Sequence, residues 1–214
     1  MLQVTYRTRV YKNWLFELLQ WFYDNGNKKD LTQVQANDLI KVLNNYVLNR
    51  YEELQLTLKN VEQVNANYNW DGTYCKGTRT PHFLFNFIDY LYWLKKDDYN
   101  FKDFDFKYWN SVEHHLARNK AANISGADQY IDNLGNLCLI SKSSNSRLSD
   151  RLPQEKIEFY GNDNLGPNRQ RIYAKCKNDN FVWGEEQIGE HYNEIICLLE
   201  SAKDLLSKNM SAPK

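Results

Sequence analysis

The sequence predicts an α+β fold that is mostly helical, with a ββα core, a helical N-terminal region and a long C-terminal helix. Three observations predict it. Apolar residues return at three- and four-residue steps before residue 95 and again after Trp183, the period of amphipathic helices. Two short apolar segments, 112–116 and 137–140, have the length and polar borders of strands. A short helical pattern at 143–152 follows the second of them, which completes a strand, loop, strand, helix order.

Trp14, Leu15, Leu18, Leu19 and Phe22 define the first helix, and Asn25-Gly26-Asn27 ends it. Asp30-Leu31-Thr32-Gln33 fits a capping box, after which Val34, Leu39, Val42, Leu43, Tyr46, Val47, Leu54 and Leu58 continue a helical stripe in which breaks are expected. A third helix is predicted over 81–95, with Pro81 in its first turn and Phe83, Phe87, Ile88 and Leu91 on one face. An aromatic, acidic connector spans 97–109. The two strands are separated by a polar loop with Asn119, Asn123, Ser125, Gly126 and Asp128. A Gly- and Asn-rich loop, 160–168, leads to a further short segment, and the terminal helix carries Ile188, Ile195, Ile196, Leu199 and Leu206. We divide the chain into a helical N-terminal region (1–80), a domain holding the ββα segment (81–208) and a flexible tail (209–214).

With 214 residues the chain can bury one sizeable core but not two full-size domains. No stretch approaches the roughly 20 apolar residues of a membrane span, and Met1 to Thr8 is not followed by a small-residue cleavage pattern, so a cytoplasmic protein is expected. Cys75, Cys138, Cys176 and Cys197 are scattered, without zinc-finger spacing, and read as buried thiols. His82 and His191 read as helix-surface residues. The aromatic cluster of Tyr90, Tyr92, Trp93, Tyr99, Phe101, Phe104, Phe106, Tyr108 and Trp109 reads as packing between the helical front and the ββα unit, because interleaved Asp97, Asp98, Asp103 and Asp105 would repel phosphate. Net charge is zero, which disfavours nucleic-acid binding over a wide surface. Charge is unevenly spread, however: residues 141–177 hold eight basic against four acidic side chains.

Three polar clusters punctuate the ββα segment: V-E-H-H-L-A-R from Val112, D-N-L-G-N-L-C-L-I-S from Asp132 and S-S-N-S-R-L-S-D-R-L-P from Ser143. A hard divalent cation with oxygen ligands and one positioned base can hydrolyse a phosphodiester. Glu113 supplies a carboxylate and Asn145 a neutral amide oxygen. Histidine suits the base, since an imidazole with pKa near 6.5 is largely neutral at working pH.

These clusters resemble the HNH (ββα-metal) nuclease superfamily, and most closely the C-terminal domain of GmrSD-type modification-dependent restriction enzymes. The matching residues are Glu113 and His114, Leu134 to Leu139, Asn145 with Ser146, and Lys156, and Asn136 and Asn145 stand nine positions apart, as the superfamily's middle asparagine and last metal ligand do. The likeness covers roughly residues 80 to 205. It implies His114 as general base, Glu113 and Asn145 as ligands of Mg2+ or Mn2+, Asn136 as a brace for the histidine loop, and Arg147 and Lys156 as contacts to the nucleic-acid backbone. It further implies a DNA endonuclease of restriction or anti-phage defence. Related enzymes carry a nucleotide-binding domain with an Asp-Gly-Gln-Gln-Arg signature, absent from this sequence, so the implied partners are DNA and a separate nucleotide-binding subunit or domain, with a shortened fragment as the alternative.

Two departures bear on the assignment. Ala117 stands where the family pattern has proline, and the adjacent His114 and His115 leave a second arrangement open, with His114 as ligand and His115 as base. Neighbouring strand residues face opposite ways, so both serve one site only if the backbone turns there. We take His114 as the base. A second function, a catalytically inactive module that keeps the fold and binds nucleic acid or a partner protein, draws on the missing proline and the neutral charge. A third is an RNase or toxin, because the chemistry does not itself choose the sugar.

Overall fold

A computed structural model describes residues 1–5, 13–26, 36–59, 74, 76–95, 101, 104–160 and 165–208. The elements in order are α1 (Leu2–Thr5), α2 (Asn13–Gly26), α3 (Ala36–Lys59), α4 (His82–Lys95), β1 (Ser111–His114), α5 (Arg118–Ala121), β2 (Leu137–Ile140), α6 (Lys142–Leu148), α7 (Pro153–Tyr160), α8 (Pro167–Asn178), α9 (Glu185–Glu200) and α10 (Ala202–Lys208). The fold is therefore α+β and mostly helical, with one small sheet.

The helix α4 is the axis of the larger core. Phe83, Leu84, Phe85, Phe87, Ile88, Leu91 and Leu94 bury its whole circumference, as expected for a helix apolar on all sides. Tyr46, Val47 and Tyr51 of α3 pack on one flank of that core and Ile195, Leu198 and Leu199 of α9 on another. The helical front thus shares a core with α4 and α9.

β1 and β2 pair antiparallel, with Val112 opposite Leu139, Glu113 opposite Cys138 and His114 opposite Leu137. Alternation along the strands splits their side chains between two apolar clusters. Val112, Leu137 and Leu139 join the α4 core, whereas Cys138 and Ile140 join a second cluster with Leu148, Ile157, Ile172, Tyr173, Cys176, Trp183 and Ile188. The ribbon is consequently buried on both faces.

Several expectations need correction. The helix read over 143–152 stops at Leu148: Ser149 takes a left-handed conformation at φ 48°, and Pro153 starts α7. The residue before a proline avoids the helical region, so Leu152 cannot carry a helix across the join. The terminal helix breaks at Ser201, whose hydroxyl donates back to the Leu198 carbonyl at 2.8 Å. His191 is buried, not on a surface, with Nε2 2.9 Å from Asn168 Oδ1. Cys138 and Cys176 are buried thiols, but Cys197 is exposed. In the connector, Phe101 and Phe104 are buried in the α4 core, and Phe104 meets Phe106 and Trp109 at ring distances of 4.8 and 6.1 Å. The capping box at 30–33, Cys75, Asp97, Asp98, Tyr99, Asp103 and the tail lie outside the described residues. Among the described residues, no helix is long and apolar enough to cross a membrane.

A polar seam joins the α4 core to the ribbon. Asp89 on α4 accepts the Asn168 backbone N–H at 2.7 Å, and the Asn168 side chain donates to the Leu137 carbonyl of β2 at 3.0 Å. Burial pushes the Asp89 carboxyl up to about 7, against the pull of that backbone hydrogen bond.

The turn 134–136 that launches β2 lies flat on α9. Contact is so close that a Cβ on Gly135 would stand 2.1 Å from the Ile188 carbonyl oxygen and 2.8 Å from the Tyr192 nitrogen. Backbone atoms cannot step aside as a side-chain tip can. Gly135→Ala should lower stability by about 3 kcal/mol, read as a drop in the urea midpoint at unchanged slope; an unmoved midpoint would contradict this seating of α9.

Candidate functional site

Val112, Glu113, His114, Ala117, Arg118 and Asn145 line one open cavity of about 260 Å³, completed by Thr78, Asn119, Ser149 and Asp150. The end of β1 brings Glu113 and His114 there, and α6 brings Asn145. Asn145 is tied to the start of β1, its Nδ2 donating to Ser111 Oγ at 2.6 Å. That bond uses the amide nitrogen and leaves Oδ1 as the available donor atom.

His114 Nε2 lies 2.8 Å from Asp132 Oδ1, and the other Asp132 oxygen accepts from Arg118. Burial alone would raise the Asp132 pKa, but the hydrogen bond with His114 and the charge of Arg118 outweigh it and hold the carboxyl below its ordinary range. An ionised carboxylate only accepts, so Nε2 carries the proton and Nδ1 is the basic nitrogen. Gly77 makes this arrangement possible. At φ 55° it donates its N–H to the Asp132 carbonyl at 3.1 Å, and a Cβ there would strike Asp132 Oδ1 at 2.3 Å.

Glu113 points away from His114, toward α7. Its Oε1 accepts from Lys156 Nζ at 2.6 Å, and the same ammonium donates to the His114 carbonyl at 2.6 Å. Burial is the largest influence on Glu113 and raises its carboxyl, offset only in part by Lys156, Arg169 and His114. Lys156, expected at the nucleic-acid backbone, is instead 1% exposed and belongs to the wall behind the carboxylate. Arg147 is on the surface, its guanidinium 5.1 Å from the centre of the Phe159 ring, next to that of Arg151 at 4.9 Å.

His115 does not reach the cavity. It is 2% exposed in the second cluster, its ring 5.2 Å from Tyr173 and 5.1 Å from Trp183, and burial, then the charges of Lys156, Arg169 and His191, drive its pKa well below the ordinary value. Strand alternation has sent the two histidines to opposite sides. Asn136, also outside the cavity and 0% exposed, uses every hydrogen-bonding position of its amide. Oδ1 accepts from Leu116 N at 2.8 Å and Trp183 Nε1 at 3.1 Å, while Nδ2 donates to Leu116 O at 3.1 Å and Ile131 O at 2.9 Å.

The sequence reading passed over Asp132 and Arg118. An acidic residue opening the segment that ends at Asn136 was a signal for the first; no spacing connects Arg118 to it. Among the described residues, no three His, Cys, Asp or Glu side chains stand together as a metal-binding group. The cavity lining includes two carboxylate residues, Glu113 and Asp150, and two amides, Asn119 and Asn145, and hard oxygen donors of this kind suit a hard cation that keeps several waters and takes further oxygens from a phosphate.

A family model described as the GmrSD restriction endonucleases, C-terminal domain, matches residues 28–198. The match begins well inside the segment read as a separate helical front. Neither a curated protein nor a solved structure matches the chain.

Ala117, which departs from the family pattern, has φ −68° and ψ 139° as it caps α5. Proline fixes φ near that value, so its absence leaves the backbone path unchanged. Ala117→Pro should stabilise the chain by about 0.5 kcal/mol through the unfolded state, measured as a higher urea midpoint; a loss of stability would show that the N–H of Ala117 is needed.

Proposed function

The chain belongs to the GmrSD restriction endonuclease C-terminal domain family, and from that premise we propose that it is an HNH-type endonuclease that hydrolyses DNA phosphodiester bonds with Mg2+ or Mn2+. The observation that carries this reading is the convergence of Glu113, His114 and Asn145 on one cavity from segments more than 30 residues apart in the chain. We place its work in restriction or anti-phage defence within the cytoplasm, alongside a separate nucleotide-binding subunit or domain.

Glu113, through the carboxylate oxygen that Lys156 leaves free, and Asn145 Oδ1 would hold the cation. When bound it supplies charge stabilisation for the phosphate in the transition state. His114 Nδ1 takes the proton of the attacking water as the new P–O bond forms and the bond to the leaving oxygen breaks. Asp132 keeps Nε2 protonated and stabilises the imidazolium that results, and Arg118 keeps Asp132 ionised. Asn136 fixes the chain immediately after the two histidines. Arg147, beside Arg151, is suited to the DNA backbone outside the cavity. The alanine at 117 lends no support to an inactive module, because the proline-like backbone is retained.

Plasmid nicking in Mg2+ tests this. His114→Ala should slow it by roughly a hundredfold or more, and EDTA should stop it; equal cleavage by wild type and variant sinks the proposal. Asp132→Asn should lower the rate by about tenfold to a hundredfold with little change in KM, because it disturbs the base and not DNA binding.

A further inference from the structure

The ion pair behind the cavity has a property that fold stability does not require. Lys156 is the largest charged side chain among the fully buried ones, and its ammonium touches two consecutive residues of the site: the Glu113 carboxylate and the His114 main-chain carbonyl, each at 2.6 Å. A buried ion pair is a poor source of stability, since desolvating both charges offsets their attraction. Placement behind the carboxylate has a direct chemical effect. One of the two Glu113 oxygens carries the Lys156 hydrogen bond, which makes it the poorer ligand and leaves the other as the oxygen a cation would take first. A fixed positive charge also stands 2.6 Å from the carboxylate that would hold a cation, and the charge of Arg169 acts on the same carboxylate.

We infer that Lys156 is a positioning residue that pins Glu113 in a one-oxygen arrangement and sets the affinity of the site for a divalent cation low, leaving coordination positions for water and phosphate. This inference rests on the metal-dependent reading above. A neutral residue at 156 frees Glu113 to bind with both oxygens and removes the repulsion, so the cation is held more tightly but in an arrangement that admits less of the substrate. Tighter metal and slower cleavage form a pairing that simple loss of structure does not produce, because a loosened site loses both together.

The experiment titrates MnCl2 into the 214-residue chain by calorimetry and measures plasmid nicking in parallel. Lys156→Gln should bind Mn2+ about tenfold more tightly than the wild type and nick at least about tenfold more slowly; Lys156→Arg, which keeps the charge, should lie nearer the wild type in Mn2+ affinity. Unchanged or weaker Mn2+ binding by folded Lys156→Gln overturns the inference while leaving the nuclease reading intact. A wild type that neither binds Mn2+ nor cleaves overturns both. Should the glutamine variant fail to fold, the wild type decides by nitrogen-detected NMR of the buried ammonium. Its signal should shift as Mg2+ saturates the site and stay still in Glu113→Gln; no shift at saturating Mg2+ overturns the inference.

Discussion

Everything in the site hangs on the amide of Asn136. Its two donors and two acceptor positions are all engaged, and their four partners come from three stretches of chain: Leu116 through both backbone groups, Ile131, and Trp183 at the approach to α9. No apolar residue could replace it without orphaning several buried backbone groups, each at a cost of about 1–3 kcal/mol. By holding Leu116, Asn136 turns the chain just past His114, where β1 ends, and its own carbonyl takes the His115 N–H at 2.9 Å. The strand cannot slip, and a one-residue slip would exchange the places of the two histidines.

That register sorts three adjacent ionisable residues into three environments. Glu113 faces a buried cation, His114 faces Asp132 and the cavity, and His115 lies in an apolar cluster where a charge is penalised. Residues alike in sequence become unlike in chemistry because a strand alternates and its two sides differ. The same alternation lets a small ribbon serve two cores, so the cavity residues sit on a backbone clamped from both faces, where little displacement is possible.

Much of this was legible in the residues. The helical periodicities gave α2, α4 and α9 to within a few positions, and the 112–116 and 137–140 segments gave the ribbon, because period and length are local properties, whereas α3 runs unbroken over Ala36–Lys59 where breaks were expected. Glu113, His114 and Asn145, singled out because their residue types suit one chemistry and their order resembles a known pattern, line one cavity. What failed was whatever depended on depth. Lys156 reads as a surface cation in any composition-based argument, and only the fold supplies the carboxylate that allows its burial. His191 was misplaced for the same reason, since its partner Asn168 is 23 positions away. Asp132 was hidden by distance in sequence from His114, and the break at Ser149 by a left-handed residue that is not glycine.

The seam at Asp89 ties this architecture to acidity. Its carboxyl holds a proton up to about pH 7 in the folded chain and releases it near 4 when unfolded, so folding takes up a proton across that interval. Tightness of the joint is then complete below about pH 4, declines as the pH rises from there to about 7, and is least beyond, where a bare negative charge must remain inside. Asp89 reaches β2 through Asn168, and β2 carries the register of the ribbon. A rise in pH to neutrality thus bears on the attachment of the ribbon to the helices at Leu137, the residue that stands opposite His114 in the ladder.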